Sequence, residues 1–293
     1  MLAEIWYNKA CRFFRKAGKS MNRPIGFLDS GVGGLTVVKE AMRQLPNESI
    51  IYIGDNARCP YGPRPVEEIN AFTQQLVDFL VAKQVKLLVV ACNTATAVSL
   101  EKIRERLSIP VVGVIHPGAR AANRYTRTGK IGILATSATI QSALYQNILL
   151  DRNPDLQVFP LVCSKFVPLV ESKEYSSPLA KKIVKESLLP LKDKGLDTVI
   201  LGCTHYPLLR PLIQHAVGDE VTLVNSGAET ITDVASLMDF YGLSAHAKDR
   251  INKSYEFYTT GGVQLFQEIL EDWIGPVSQV QRVSLDQLQK GEY

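Results

Sequence analysis

Short apolar runs ending in polar, hydroxyl-rich turns alternate along the chain with longer stretches whose apolar positions fall at helical spacing. Leu87 to Ala91 and Thr198 to Leu201 are apolar without alternation, the pattern of strands buried on both faces. Further strands are predicted at Ile25 to Asp29, Ser49 to Asp55, the run reaching Ile115, the run from Ile131, the run to Cys163, VTLVNSG, YEFYTTG and VQRVS. Helices are predicted from about Leu35 to Leu45, Glu67 to Lys83, Asn93 to Leu107, 178 to 194, Ala228 to Tyr241 and Val263 to Ile274. Another starts at Pro207, with Leu208, Leu212, Ile213 and Ala216 on one stripe. Strands that alternate with helices in this way predict an α/β fold of open parallel sheets.

Two pairs of segments repeat. LVVACNTATA, at 88 to 97, matches TVILGCTHYP at 198 to 207, and IGFLDSGVGG from Ile25 matches IGILATSATI from Ile131. The offsets of the two pairs differ by only a few residues, which points to two copies of one unit. Ligands bind at strand ends in such sheets. The expectation is therefore two similar α/β domains related by a pseudo-two-fold, with the active site in the cleft between them. Residues 21–115 and 225–285 would form the first domain and 116–224 the second. Cys92 and Cys203 would each stand at a strand end facing a helix N-terminus, capped by Asn93 or Thr94 in one copy and opened by Thr204 and Pro207 in the other. The unpaired N–H groups there favour a thiolate, so each sulfur is a candidate base near neutral pH.

Composition removes several alternatives. Hydrophobic content of 46% with 21% charged residues is that of a globular protein, and no apolar run approaches the ~20 residues of a membrane span. The net charge of +4 resides in the first 23 residues, and the remainder is close to neutral. Nucleic acid is thus not an expected partner. Residues 1–20 read as a basic extension, disordered or helical, ahead of a second possible start at Met21. Trp6, Phe13 and Phe14 leave open an amphipathic contact with a membrane surface. Five cysteines without C-x-x-C spacing argue against a disulfide scaffold and for a reduced, cytoplasmic setting. Four histidines show no ligand spacing, so no structural or catalytic metal is expected.

Other candidates follow in chain order. The S-G-V-G-G turn has Thr36 where a dinucleotide fingerprint needs glycine and lacks the lysine of a P-loop, so it reads as a loop for a small anionic ligand. Asp29 and Ser30 end the first strand, with Asp29 either a helix cap or a partner for an ammonium group or thiol. Three prolines and a glycine in 60 to 65 make a stiff turn with Tyr61 and Gly62 as ligand contacts, whereas Cys59 reads as an ordinary thiol. His116 reads as a residue of a domain junction. Thr136 and Thr139 stand where Asp29 and the glycines stand in the first unit, and either bind a carboxylate or cap a helix. Glu171 is the one carboxylate of its segment placed to reach inward, and His205 lies two positions beyond a thiol it could tune.

DSGVGGLTV, RCPYGPRP, ACNTATA, KFVPLVE and GCTHYPLL, in this order over about residues 22 to 285, closely resemble the glutamate racemases of the aspartate/glutamate racemase family. The resemblance implies a cofactor-independent, two-base isomerase of glutamate that supplies D-glutamate for peptidoglycan, and hence the bacterial cell wall and cell shape. Cys92 would act on D-glutamate and Cys203 on L-glutamate, with Asp29, Glu171 and His205 supporting the thiols. Substrate contacts would come from Asp29, Ser30, Tyr61, Gly62 and His205, while Asn93, Thr94 and Thr204, with neighbouring N–H groups, are placed to bind the substrate carboxylate and stabilise a carbanion. A homodimer is implied, and some relatives inhibit DNA gyrase, a role the basic extension alone could suggest here. Aspartate racemases are similar but carry an acidic residue where His205 stands, which favours glutamate. A cysteine hydrolase using Cys203 and His205 would leave the second matched cysteine without a task.

Overall fold

The computed structural model describes residues 22–245, 253–276 and 279–293. The extension expected over residues 1–20, and with it any membrane or gyrase contact, lies outside the described residues. Among those residues, no helix is long and apolar enough to cross a membrane.

Two parallel sheets carry the fold. The first contains β1 (Ile25–Asp29), β2 (Ile50–Gly54), β3 (Leu87–Val90) and β4 (Val111–Gly113), extended beyond β2 by β9 (Tyr255–Thr259) and β10 (Gln281–Arg282). Its order is β10-β9-β2-β1-β3-β4. The second contains β5 (Lys130–Ala135), β6 (Gln157–Val162), β7 (Thr198–Gly202) and β8 (Thr222–Asn225), in the order β6-β5-β7-β8. Strand for strand this repeats the order β2-β1-β3-β4, the topological form of the duplicated motifs. Ala135 is the counterpart of Asp29, since each is the last residue of its strand and IGFLD aligns with IGILA. Thr136 and Thr139 therefore follow the position of Asp29 and do not replace it.

Both faces of the central strands are covered, which is why their sequences do not alternate. Ile25, Phe27, Leu87 and Val89 enter one core with Leu134, Val199 and Leu201 of the second sheet, whereas Leu28, Leu88 and Val90 enter a second core. Ile131, Ile133 and Ile200 enter a third. The first core thus spans both sheets. Helix α1 (Leu35–Gln44) follows β1, α2 (Val66–Ala82) precedes β3, and α3 (Asn93–Arg106) follows it. In the second half, α4 (Ile115–Tyr125) leads to β5, α5 (Ser137–Gln141) and α6 (Leu144–Arg152) follow it, and α7 (Phe166–Glu171) and α8 (Pro178–Ser187) precede β7. α9 (Arg210–Val217) precedes β8, α10 (Ser226–Tyr241) returns the chain to the first sheet, and α11 (Val263–Ile274) and α12 (Leu285–Lys290) close it.

Four boundaries differ from the expectation. The strand predicted to reach Ile115 stops at Gly113, and Ile115 opens α4 with His116 exposed on its first turn. The helix predicted over 178–194 ends at Ser187 and gives way to a 3-10 turn at Leu189–Leu191, because Pro190 lacks the N–H that the ladder needs. After Cys203, a 3-10 turn (Tyr206–Leu209) precedes α9 because Pro211 would interrupt a continuous helix. VQRVS pairs through only two residues.

Candidate active site

β1, β3, β5 and β7 each lie inside their sheet, and the side chains just beyond their ends converge. Cys92 is itself the N-cap of α3, and its sulfur accepts a hydrogen bond from the Ala95 N–H at 3.4 Å. Asn93 and Thr94, expected as caps, form the first turn. The Cys92 thiol donates to Ser30 Oγ at 3.6 Å. Asp29 is fully buried. Its Oδ2 accepts from the N–H groups of Gly34 at 2.8 Å and Gly31 at 3.3 Å, and its Oδ1 from the Thr204 hydroxyl at 3.3 Å. Asp29 is thus both the loop's cap and a bridge to the second sheet.

The Cys203 side is built differently. His205 Nδ1 lies 3.6 Å from the Cys203 sulfur, and His205 Nε2 lies 2.6 Å from Glu171 Oε1. Glu171, at the end of α7, also accepts from the Val32 N–H at 3.0 Å, from Asn56 Nδ2 at 3.1 Å and from the Cys59 thiol at 3.6 Å. Burial opposes charge on His205. The bonds to Cys203 and Glu171 outweigh it and lift the imidazole well above its ordinary pKa. The ring, drawn towards its charged form, sits between a sulfur and a carboxylate.

Among the described residues, no cation offsets the rise at Cys92 in this way. Burial, then the charge of Asp29, push its thiol up to about 12, and the Ala95 N–H and Ser30 hydroxyl only partly offset them. The sequence predicted a thiol activated by a helix N-terminus. The structure corrects this for Cys92, where desolvation and a neighbouring carboxylate exceed the effect of one N–H group. A charge on Cys203 also raises Cys92, which places the two sulfurs within electrostatic reach of each other. Both are buried, with 4% and 7% of their surface exposed.

The Asp/Glu/Hydantoin racemase family model matches residues 30–234. The chain belongs to that family. Glutamate racemase of Enterococcus faecalis is 56% identical over 256 residues, 87% of this chain and 93% of the relative. That of Carnobacterium sp. is 55% identical over 250 residues, 85% and 93%. Among solved structures, a glutamate racemase isoform of Bacillus anthracis superposes with a TM-score of 0.86 at 47% identity, covering 90% of this chain and 98% of that one. The enzyme of Francisella tularensis in complex with D-glutamate gives 0.82 at 35% identity, with the same coverage.

In this family member the glycine-rich turn receives protein atoms. A Cβ at Gly33 would lie 2.4 Å from His205 Nδ1 and 2.5 Å from Thr204 Oγ1, and one at Gly31 would lie 2.2 Å from Glu171 Oε1. The turn expected to admit an anionic ligand admits the carboxylate and imidazole of the other half. Thr94, Thr136 and Thr139 gather in one hydroxyl cluster across the sheets, at 2.9, 3.0 and 3.4 Å. Two sequence candidates are already engaged. The Tyr61 hydroxyl donates to buried Asp55, and Asn93 Oδ1 accepts from Tyr145 at 2.8 Å. Gly62 lies against Thr136, and its carbonyl accepts from Ser137 Oγ at 2.7 Å. His116 is in none of these contacts.

The sequence reading did not single out Asp55, Arg58 or Tyr145. Arg58 Nε donates to Asp55 Oδ2 at 2.7 Å and the Thr260 hydroxyl to Oδ1 at 2.7 Å, which anchors the stiff turn. Thr260 lies 205 residues from Asp55 and Tyr145 lies 52 from Asn93, so no local pattern reveals those two contacts. A cleft of about 370 Å³ opens against Cys59 and Glu171, lined also by Val32, Asn56 and Phe266. Neither Cys92 nor Cys203 lines it.

Proposed function

We propose that the protein interconverts L- and D-glutamate by two-base proton transfer between Cys92 and Cys203. The single observation that carries this reading is the pair of buried thiols at equivalent strand ends of two copies of one fold, each with its own polar partners. A thiolate removes the α-proton from one face of the carbon, and the opposite thiol returns a proton to the other face. Cys203 serves L-glutamate and Cys92 serves D-glutamate.

The asymmetry of the two thiols sets the resting state. Cys92, raised to about 12, holds its proton in the substrate-free enzyme and is ready to donate it. Cys203 faces a protonated His205 that Glu171 orients. That state is poised for the L-to-D direction. Asp29 and Ser30 receive the substrate ammonium, whose positive charge offsets the carboxylate that holds Cys92 up. Asn93, Thr94, Thr136, Thr139 and Thr204, with Gly62 backbone and the Tyr61 ring, surround the carboxylates. Donors aimed at the α-carboxylate stabilise the carbanion in a site closed to water. Since both sulfurs are buried, glutamate reaches them only when the halves part, the half that carries Cys92 moving against the half that carries Cys203.

The reading includes a cytoplasmic homodimer that supplies D-glutamate for peptidoglycan without a cofactor. The test is proton exchange in deuterated solvent with each glutamate enantiomer and with aspartate. Both glutamates should gain α-deuterium and lose optical activity without pyridoxal phosphate, and aspartate should not. Full turnover retained in both Cys92→Ala and Cys203→Ala would refute the two-thiol assignment.

A further inference from the structure

We propose that Cys59, Glu171 and His205 form a capture site for a thiophilic divalent cation of the zinc type, whose binding takes His205 away from its work beside Cys203. The binding claim stands on the geometry alone, and the inhibitory consequence rests on the racemase reading above.

The three ligand atoms come from separate segments, the turn after β2, the end of α7 and the turn after β7, and lie within 4.8 Å of one another. Around a tetrahedral zinc, bonds of about 2.0–2.3 Å set neighbouring ligand atoms roughly 3.3–3.6 Å apart. Cys59 Sγ and Glu171 Oε1 already stand 3.6 Å apart. Glu171 Oε1 and His205 Nε2, at 2.6 Å, need to separate by only about 0.7 Å, a small turn of one carboxylate. Gly31 leaves the room for this, because a Cβ there would fall 2.2 Å from the same Oε1 and 2.9 Å from the Cys59 sulfur. Sulfur, imidazole and carboxylate are the ligand types that zinc takes, and three protein ligands leave a fourth position for water.

Two further observations favour a cation here. The cleft of about 370 Å³ opens on Cys59 and Glu171, so an ion has a route to the ligands that does not pass the reacting thiols. Asp29 and Glu171 lie close enough to interact, and His205 is the cation that their charges share. On binding, the Cys59 thiol and the imidazolium Nε2 each release one proton to solvent, and the metal takes the freed sulfur and nitrogen electron pairs. Glu171 then holds the ion and no longer accepts from His205. With Nε2 committed to the metal, the ring cannot be the free imidazolium that faces Cys203.

The test is titration of the full-length protein with cobalt(II), followed by the near-ultraviolet thiolate-to-cobalt absorption, beside racemisation assays with zinc. Wild type should bind one cobalt per chain and show the band. Cys59→Ala and Cys59→Ser should lose it while keeping metal-free turnover, which also reports that they fold. Zinc should inhibit wild type reversibly, relieved by chelator, and at least about tenfold more strongly than either variant, since even outer-shell partners cost that much affinity. An unchanged band and zinc sensitivity in both variants would place the ion on another cysteine and overturn the proposal, as would failure to bind cobalt. Cobalt binding is read without turnover, so a protein that binds it but does not racemise glutamate would sink the racemase reading and leave the site standing.

Discussion

A single methyl group tests how the two halves meet. In Gly33→Ala the new Cβ falls 2.4 Å from His205 Nδ1 and 2.5 Å from Thr204 Oγ1, whereas ordinary contact begins at 3.4 Å. About 1 Å of movement is needed. His205 cannot supply it by turning, because Nε2 is held at 2.6 Å by Glu171 and Nδ1 faces Cys203 at 3.6 Å. Thr204 is tied to Asp29. The half carrying Cys203 must therefore retreat from the half carrying Cys92. Overpacking of this kind costs about 1–3 kcal/mol of stability, and a 1 Å misplacement of reacting groups costs on the order of 100-fold in rate. Gly262→Ala is the control, since nothing lies within 4 Å of a Cβ there. Urea unfolding measures the first quantity, and steady-state racemisation by circular dichroism in both directions measures the second. Gly33→Ala activity within a few-fold of the Gly262→Ala control would refute the account of the loop.

Two further outcomes are expected. Alkylation of Cys92 by iodoacetamide, followed by peptide mass spectrometry, should keep rising with pH past 10, because with a pKa of about 12 only about one thiol in 10⁴ is ionised at pH 8; Asp29→Asn should shift the profile to lower pH, and a wild-type plateau near pH 9 would contradict the assignment. Asp197 accepts from Thr126 Oγ1 at 2.7 Å and from the Arg127 and Thr128 N–H groups at 2.6 Å each, and although burial opposes its charge, these donors bring it to about 2. Its folded pKa is below the unfolded value, so its stabilisation is complete above about pH 4 and disappears as pH falls through 2. Asp197→Asn should therefore cost about 1 kcal/mol at pH 7, discounted for solvent screening, and almost nothing near pH 2; a pH-independent difference would exclude the linkage.

Much of the architecture was legible because burial on both faces leaves an unalternating signature, and because the repeat shows the same code twice. Leu87 to Val90 and Thr198 to Leu201 were readable on that ground, as was the placement of Cys92 and Cys203 at their ends. What the two sulfurs experience was not legible. Helix position is local and can be read, but desolvation and the Asp29 charge come from a strand sixty residues away in sequence. The same holds for Gly31 and Gly33, whose missing side chains made a ligand loop plausible until Glu171 and His205 were seen to occupy that space. The convergence of Cys59 with both depends on two turns and a helix end that are far apart in sequence, and no spacing rule covers that. Tyr61 lies in the stiff turn, but its hydroxyl is committed to Asp55, a carboxylate hidden just beyond β2.

The position of β9 in the first sheet has a consequence for biogenesis. β2 is apolar throughout, and its outer edge pairs with Tyr255–Thr259, which leave the ribosome about 200 residues later. At roughly 5–20 residues per second, that edge waits on the order of 10–40 s for its partner. β5 to β8 form an uninterrupted segment that can complete its own sheet in the interval. The nascent chain therefore spends its most aggregation-prone period with one half finished and the other holding an unprotected hydrophobic seam, a stage at which a chaperone would have most to do.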